Sequence, residues 1–452
     1  MTATSQAAEG TGRLLSGWGR TTASRARVAG PMELERLQDL VASRPAGGVL
    51  ARGAGCSYGD AAQNAGGCVL DPATRPGIDV DAAAGTARLA AATTFTELLT
   101  RIVPYGLLPP VLPGTSHLTV GGAVAADVHG KNQRRHGSIS GWIEEIELID
   151  GTGERRTLTP GGDAEAFRAT VGGMGMTGII LAVTIRLLRV RSALLRVTTR
   201  RLPDLDALLD ALDRTDAPYA VAWIDTTASG RSLGRGIIDT GDHLANPDPA
   251  IERYGLVYRP GRARRVPPLP ACPVTSWSAR GFNTLWFRKA PGNSSEITDL
   301  ATFFHRLDTI DGWNRMIGPR GFVQYQFVVP DGAHQIIAEV LEAVQRHRCA
   351  PFLGTVKRFG PGSGSHLSFP MPGWSLAIDM PAGNRWLGPV LHDLDLKVAA
   401  AGGRVYLAKD SRLSRSAFDA MYRQLPEWRA AASKLDPAGV FRSDLGRRVG
   451  LC

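Results

Sequence analysis

At 452 residues the chain exceeds what one hydrophobic core usually organises, so two domains, or one interrupted by another, are expected. With 43% hydrophobic residues, 21% charged and 53 glycines it reads as globular and loop-rich, which excludes disordered and fibrous classes. Fifty-two Lys and Arg against 42 Asp and Glu leave +10, which favours anionic partners, and five cysteines without a CxxC pair suggest neither a zinc site nor a disulfide framework.

The opening segment MTATSQAAEGTGRLLSGWGR has no apolar run of signal-peptide length. From 46 to 190 short apolar runs alternate with Gly-rich turns: GGVLARGAG, GCVLD, IDVDAAAGTARLAAA, WIEEIELIDGTGERRTLT and GIILAVTIRLL. Strands dominate this stretch, with one helix predicted over 94–102. GIILAVTIRLL is the longest apolar run, carries an Arg and is too short to span a bilayer. From 194 ALLRVTTR predicts a strand, LDALLDAL a helix and YAVAWIDT a strand. Residues 259–270, RPGRARRVPPLP, predict a mobile irregular loop, because prolines remove donors and four arginines repel one another. Then come the strand GFVQYQFVV, a helix with Ile337, Val340, Leu341 and Val344 on one face, and the strand FLGTVKRF. SLAIDM, a helix with Leu387, Leu391, Leu394 and Val398 on one face, and RVYLA complete the set. These units predict an antiparallel sheet backed by helices, an α+β fold.

The strongest local signal is Arg52-Gly53-Ala54-Gly55-Cys56-Ser57-Tyr58-Gly59-Asp60. Closely spaced glycines let main-chain N–H groups converge on a pyrophosphate, and Ser57 adds a hydroxyl donor. A nicotinamide Rossmann site needs a long helix directly after that turn, whereas here AAQNAGG leads into the strand-like CVLD. A loop between strands, and a different dinucleotide solution, is therefore expected. The literal GxGxxG at 173–178 precedes a β-rich run and reads as tight backbone packing. A second concentration comprises Leu112-Pro113-Gly114-Thr115, Thr119-Val120-Gly121-Gly122-Ala123 and Asp127-Val128-His129-Gly130-Lys131-Asn132. Its small residues suit close approach of a flat, rigid ligand, with a His and a Lys just beyond.

RGAGCSYGD, PGT…TVGGAVAADVHGKN and VGGMGMTGII together resemble the FAD-binding half of the vanillyl-alcohol-oxidase type flavoproteins. More narrowly, GWGRTTAS, GFVQYQFVVP, SFPMPGWSLAIDMP, VYLAKDSR and EWRAAASKLDPAGVFRSDLGRR resemble the decaprenylphosphoryl-β-D-ribose 2-oxidase family, over residues 17–448. The resemblance implies a two-part FAD-binding domain, 1–193 and 404–452, enclosing a substrate domain over 194–403. It places the cofactor on Arg52 to Asp60, on Gly114, Thr115, Thr119, Val120, Gly121, Gly122, Ala126, Asp127, Val128 and His129, and on Ile179 and Tyr406. The family's active-site Lys falls on Lys409, its pocket glutamines on Gln324 and Gln326, and its flavin-proximal His on His129. Lys131, Trp223, Lys357 and Ala377 take further substrate-pocket positions.

The activity that the resemblance implies is oxidation of a ribose C2 hydroxyl on a lipid-linked sugar, in the synthesis of cell-wall arabinan. Reoxidation by a quinone or oxygen, an NADH-dependent short-chain reductase as partner, and no nucleic-acid partner are implied as well. So is a cytoplasmic or peripheral plasma-membrane location, with members that act on the periplasmic side. An alternative is oxidation of another sugar or polyol. Two departures carry expectations: Cys56 stands where related sugar oxidases place a flavinylated His, so non-covalent FAD is expected. Ala377 replaces the family's pocket Cys, so turnover should survive while capture of nitroaromatic inhibitors should not.

Overall fold

The structure, a computed structural model, describes residues 11–244 and 255–452; residues 1–10, which open the N-terminal segment, and 245–254 lie outside the described residues. The first apolar runs build two small sheets. Thr11–Ser16, Ala23–Ala29, Cys68–Leu70 and Val49–Ala51 lie side by side in that order, the first pair antiparallel and the others parallel. Ile78–Asp81, Thr86–Ala90, Ile179–Arg186, Ile143–Ile149 and Arg155–Leu158 form an antiparallel sheet of five.

The helix expected over 94–102 is Phe95–Ile102. The Thr94 side chain accepts from Glu97 N–H and Glu97 answers to the Thr94 N–H, while Phe95, Leu98, Leu99 and Ile102 are buried. It is not alone: Val120–Ala125, Gln133–His136 and Ala164–Thr170 are also helical, a correction to the strand-dominated reading. Val120–Ala125 contains two glycines and forms against their propensity, because Thr119 caps it and Val120, Ala123 and Val124 are buried.

The later elements form one antiparallel sheet of eight strands, ordered Asn293–Asp299, Leu194–Leu202, Gly236–His243, Tyr219–Ile224, Leu353–Phe359, Gly373–Pro381, Phe322–Val329 and Arg404–Val405. With the helices it makes the fold α+β. Leu205–Arg214, Gln335–Arg346 and Leu387–Ala400 back this sheet with the apolar stripes that period 3.6 predicts. Two strands of this sheet escaped the sequence reading, Gly236–His243 and Asn293–Asp299; the second is largely polar, and pairing with Leu194–Leu202 draws it in.

Strand alternation then decides what faces away from the helices. On Phe322–Val329 the side chains of Val323, Tyr325 and Phe327 join the core, so Gln324 and Gln326 point to the other face. Register places Gln326 opposite Ala377, Ala377 opposite Thr355 and Thr355 opposite Trp223, one rung across four strands. The strand expected over RVYLA is only Arg404–Val405. Beyond it the Lys409 and Asp410 N–H groups both donate to the Tyr406 carbonyl, a turn that carries Lys409 into the space above the sheet. Among the described residues no helix is long and apolar enough to cross a membrane.

Candidate active site

Between that sheet face and the glycine-rich loops lies a cleft of about 340 Å³, continuous with solvent. One wall is main chain. After Val49–Ala51 the chain enters Gly53 to Tyr58, held from behind by Arg52, whose guanidinium donates to the carbonyls of Ala62 at 2.7 Å and Ser16 at 3.1 Å. Gly55 has φ +66°, and a Cβ on Gly53 would sit 2.2 Å from Thr119 Oγ1, so both glycines are required. Gly53 to Ser57 line the cleft, and their five consecutive N–H groups donate to no other described residue. Such a row of unspent amides is a nest for an anion.

Thr119 and Gly122, then Ala125 and Ala126, continue this wall with small groups, and Val128 to Lys131 bring it to the sheet. Tyr406 returns from the C-terminal segment, donating its hydroxyl to the Ala126 carbonyl at 2.9 Å and stacking on Phe369 at 4.6 Å. Diphosphate-sized amides beside a flat wall of Gly and Ala fit a flavin adenine dinucleotide. Gly53 to Ser57 would hold its diphosphate, and Gly122, Ala125, Ala126 and Val128 would flank its rings.

The opposite wall is side chain. Gln326 Nε2 lies 3.1 Å from His129 Nε2 and 3.4 Å from Ser375 Oγ. Burial, with Lys357 and Lys409 close by, holds the His129 imidazole well below its usual range, so the ring is neutral. With the Gln326 amide donating to Nε2, the ring proton sits on Nδ1, which is buried without a partner among the described residues. Gln324 donates to Asp379 Oδ1 at 2.7 Å, and Asp379 Oδ2 has no partner among the described residues.

Three lysines reach the cleft. Lys409 Nζ lies 3.8 Å from the centre of the Tyr58 ring. Lys131 Nζ donates to the Phe303 carbonyl and sits 3.9 Å from that ring's centre. All three, Lys357 included, remain partly open to the cleft while protein surrounds their head groups. Burial lowers Lys409 to about 8, Asp379 opposing the shift and Lys357 adding to it. It also lowers Lys357 to about 8 and Lys131 to about 7, and raises the Asp379 carboxyl to about 7. The cleft therefore holds groups that gain or lose a proton near neutrality.

Of the positions expected around a cofactor, Gly53 to Tyr58, Gly114, Thr119, Gly122, Ala126, Val128, His129 and Tyr406 line the cleft. Arg52, Gly59, Asp60, Thr115, Val120, Gly121, Asp127 and Ile179 do not. Asp60 forms a buried ion pair with Arg448 at 2.8 Å, and Asp127, at φ +41°, gathers Ser138, Ser363 and Ser368 behind the wall. Gly121 packs against Ala91, and Ile179 is in the core. Of the substrate positions, Lys131, Gln324, Gln326, Lys357, Ala377 and Lys409 are brought together. Trp223 shares their sheet face but stands three strand spacings from Gln326, about 14 Å away, outside the lining. Sequence reasoning missed Asp379, although its place two residues after Ala377 on an alternating strand puts both on one face. Of the glycines at 173–178, two pack tightly, a Cβ on Gly173 lying 2.2 Å from the Ala169 carbonyl oxygen and one on Gly178 2.7 Å from that of Ile149; Gly175 has open space and is required instead by its φ of +78°.

A family model described as an FAD binding domain matches residues 26–159. Decaprenylphosphoryl-beta-D-ribose oxidase of Mycolicibacterium smegmatis is 37% identical over 453 residues, covering 98% of each chain. An alditol oxidase of a Streptomyces species is 24% identical, over 94% of this chain and 95% of its own. Cytokinin dehydrogenase 4 of Arabidopsis thaliana is 34% identical, but over only 31% of this chain and 28% of its own. The amide nest, the flat small-residue wall and this end-to-end similarity have one reading: the chain belongs to the family of FAD-binding oxidoreductases that includes decaprenylphosphoryl-β-D-ribose oxidase.

Proposed function

We propose that the protein oxidises the ribose C2 hydroxyl of a polyprenylphosphoryl-β-D-ribose to the 2-keto sugar. The observation that supports it most is where the similarity runs. Matches to cytokinin dehydrogenases cover only about a third of the chain, whereas the match to the ribose oxidase, 37% identical, covers 98% of it and so includes the strands that carry Gln324, Gln326, Lys357 and Asp379. The lower identity to an alditol oxidase, 24%, keeps oxidation of another polyol as the competing reading.

When bound, FAD supplies the acceptor for the hydride that leaves the carbinol carbon. Lys409 takes the hydroxyl proton on Nζ, a role its lowering to about 8 permits because an appreciable neutral fraction exists near pH 7 to 8. Lys357 keeps that fraction high by repulsion. Gln326, fixed by His129 and Ser375, and Gln324, fixed by Asp379, present amides to the sugar hydroxyls. The acceptor that would reoxidise bound FAD is a quinone or oxygen, and a separate NADH-dependent reductase would receive the keto sugar.

Anaerobic mixing of the holoprotein with polyprenylphosphoryl ribose, followed at the flavin band, tests this. Bleaching by the lipid-linked sugar and not by free alditols is the expected result. Bleaching by alditols alone would assign the protein to polyol oxidation.

A further inference from the structure

Helix Ser276–Lys289 presents its apolar side outward. Its buried residues are Ala279 and Asn283, one turn apart, whereas Trp277, Leu285 and Phe282 are 84%, 67% and 59% exposed and Trp286 is 39% exposed. The orientation is fixed by polar contacts on the inner side. Asn283 Nδ2 donates to Thr226 Oγ1 at 3.5 Å, Arg235 donates to Thr284 Oγ1 at 3.3 Å, and the Arg235 guanidinium lies 4.5 Å from the Phe287 ring centre. A capping box at Thr275 sets its start. Four large apolar side chains on one well-anchored helix form a patch that an isolated protein has no reason to keep.

The charge around it is one-signed. Residues 259–289 contain six Arg and one Lys and no Asp or Glu, which is seven of the chain's net +10. Arg262, Arg264, Arg265, Arg280, Arg288 and Lys289 have no carboxylate partner within 4 Å among the described residues. The loop 259–270 is exposed along its arginines, and its only regular element is Arg264–Arg265, paired with Ile310–Asp311. That pairing lies just past Phe304 and Leu307, which line the cleft. On the helix side, Thr226 packs against Gly354, next to Leu353 of the cleft wall. The basic, aromatic surface thus flanks the cleft.

We propose that helix Ser276–Lys289 and residues 259–270 dock the protein on an anionic lipid bilayer. Trp277, Phe282, Leu285 and Trp286 enter the headgroup layer, and the arginines engage lipid phosphates. The proposal rests on the lipid-linked reading of the cleft for its purpose: a polyprenyl-anchored sugar is delivered from a membrane. A second copy of the chain is a poorer occupant, since a two-fold contact would set this basic surface, which carries no Asp or Glu over residues 259–289, against its own image.

The test is co-sedimentation of the FAD-loaded protein with vesicles free of any sugar lipid. One set is of equal parts phosphatidylglycerol and phosphatidylcholine, the other of phosphatidylcholine alone. Binding is expected on the anionic vesicles, falling as salt rises. The triple variant Trp277→Ser, Phe282→Ser, Leu285→Ser should lose at least about tenfold in partitioning. The variant Arg262→Gln, Arg264→Gln, Arg265→Gln should lose anionic preference, with flavin spectrum and melting unchanged in both. Wild-type protein that ignores anionic vesicles, or variants that bind as well as wild type, would overturn the docking surface. So would a wild-type dimer that the aromatic variant turns into a monomer while vesicle binding is unaffected. Because no sugar lipid is present, a failure here leaves the reaction standing, and a failure of flavin bleaching leaves the docking standing.

Discussion

Along one side of the cleft, residues 53–57 present five N–H groups and no charged side chain. Along the other, Gln324, Gln326, Lys357 and Asp379 arrive from three different strands. The first wall recognises by backbone shape, so a short contiguous run of small residues suffices, and a Cβ added at Gly53 or Gly55 is a collision. The second recognises by charge and proton state, so each group matters through its neighbours. Substitutions should therefore act differently on the two: through folding and cofactor retention on the glycine side, through rate and pH dependence on the sheet side.

The sharpest break is expected at Lys409. Lys409→Ala should leave FAD absorbance intact while slowing anaerobic flavin reduction about 10²–10⁴-fold, the usual scale for a general base. Retained reduction would remove Lys409 from proton transfer. On the glycine side, Gly59→Ala puts a Cβ 2.0 Å from the Asp410 carbonyl oxygen, a backbone atom that cannot move aside. Destabilisation of about 3 kcal/mol, seen as a lower melting temperature and lost flavin, is expected. Gly114→Ala, with nothing within 4 Å of the new methyl, should melt like wild type.

Two sheet-side variants should move the pH profile in opposite directions. Asp379 favours the charged form of Lys409 and Lys357 disfavours it. The rate rises as Lys409 deprotonates, so Asp379→Asn should carry the rising limb to lower pH and Lys357→Met to higher pH. Shifts in one direction, or none, would mean that another group titrates. A smaller effect concerns Lys131, lowered by burial from 10.5 to about 7. Between those values the folded chain holds fewer protons than the unfolded one, so this group makes stability rise with pH. The melting temperature of the cofactor-free protein should climb less from pH 7 to 9 in Lys131→Met than in wild type.

The glycine wall was legible because its chemistry is local. Gly53, Gly55 and Ser57 are neighbours in sequence, and the absence of a helix after them already distinguished the loop from a nicotinamide site. The amphipathic helices were legible for the same reason, as was alternation along Phe322–Val329. Asn293–Asp299 was not, because a polar strand takes its identity from its partner. Asp60 and Asp127 show the converse: adjacent to the cofactor loops in sequence, they face inward to bind Arg448 and a cluster of serines.

Local pattern alone determined the α+β class and the anion nest, since propensity, periodicity and glycine geometry act within a few residues; the side-chain positions of the cleft came from the family resemblance. Tertiary structure alone decided which of those positions meet. It set Gln326, Ala377, Thr355 and Trp223 on one rung, brought Asp379 within reach of Lys409, and turned the aromatic side of Ser276–Lys289 to solvent. Register, burial and the sum of neighbouring charges depend on residues far apart in the chain, so they exist only once it has folded.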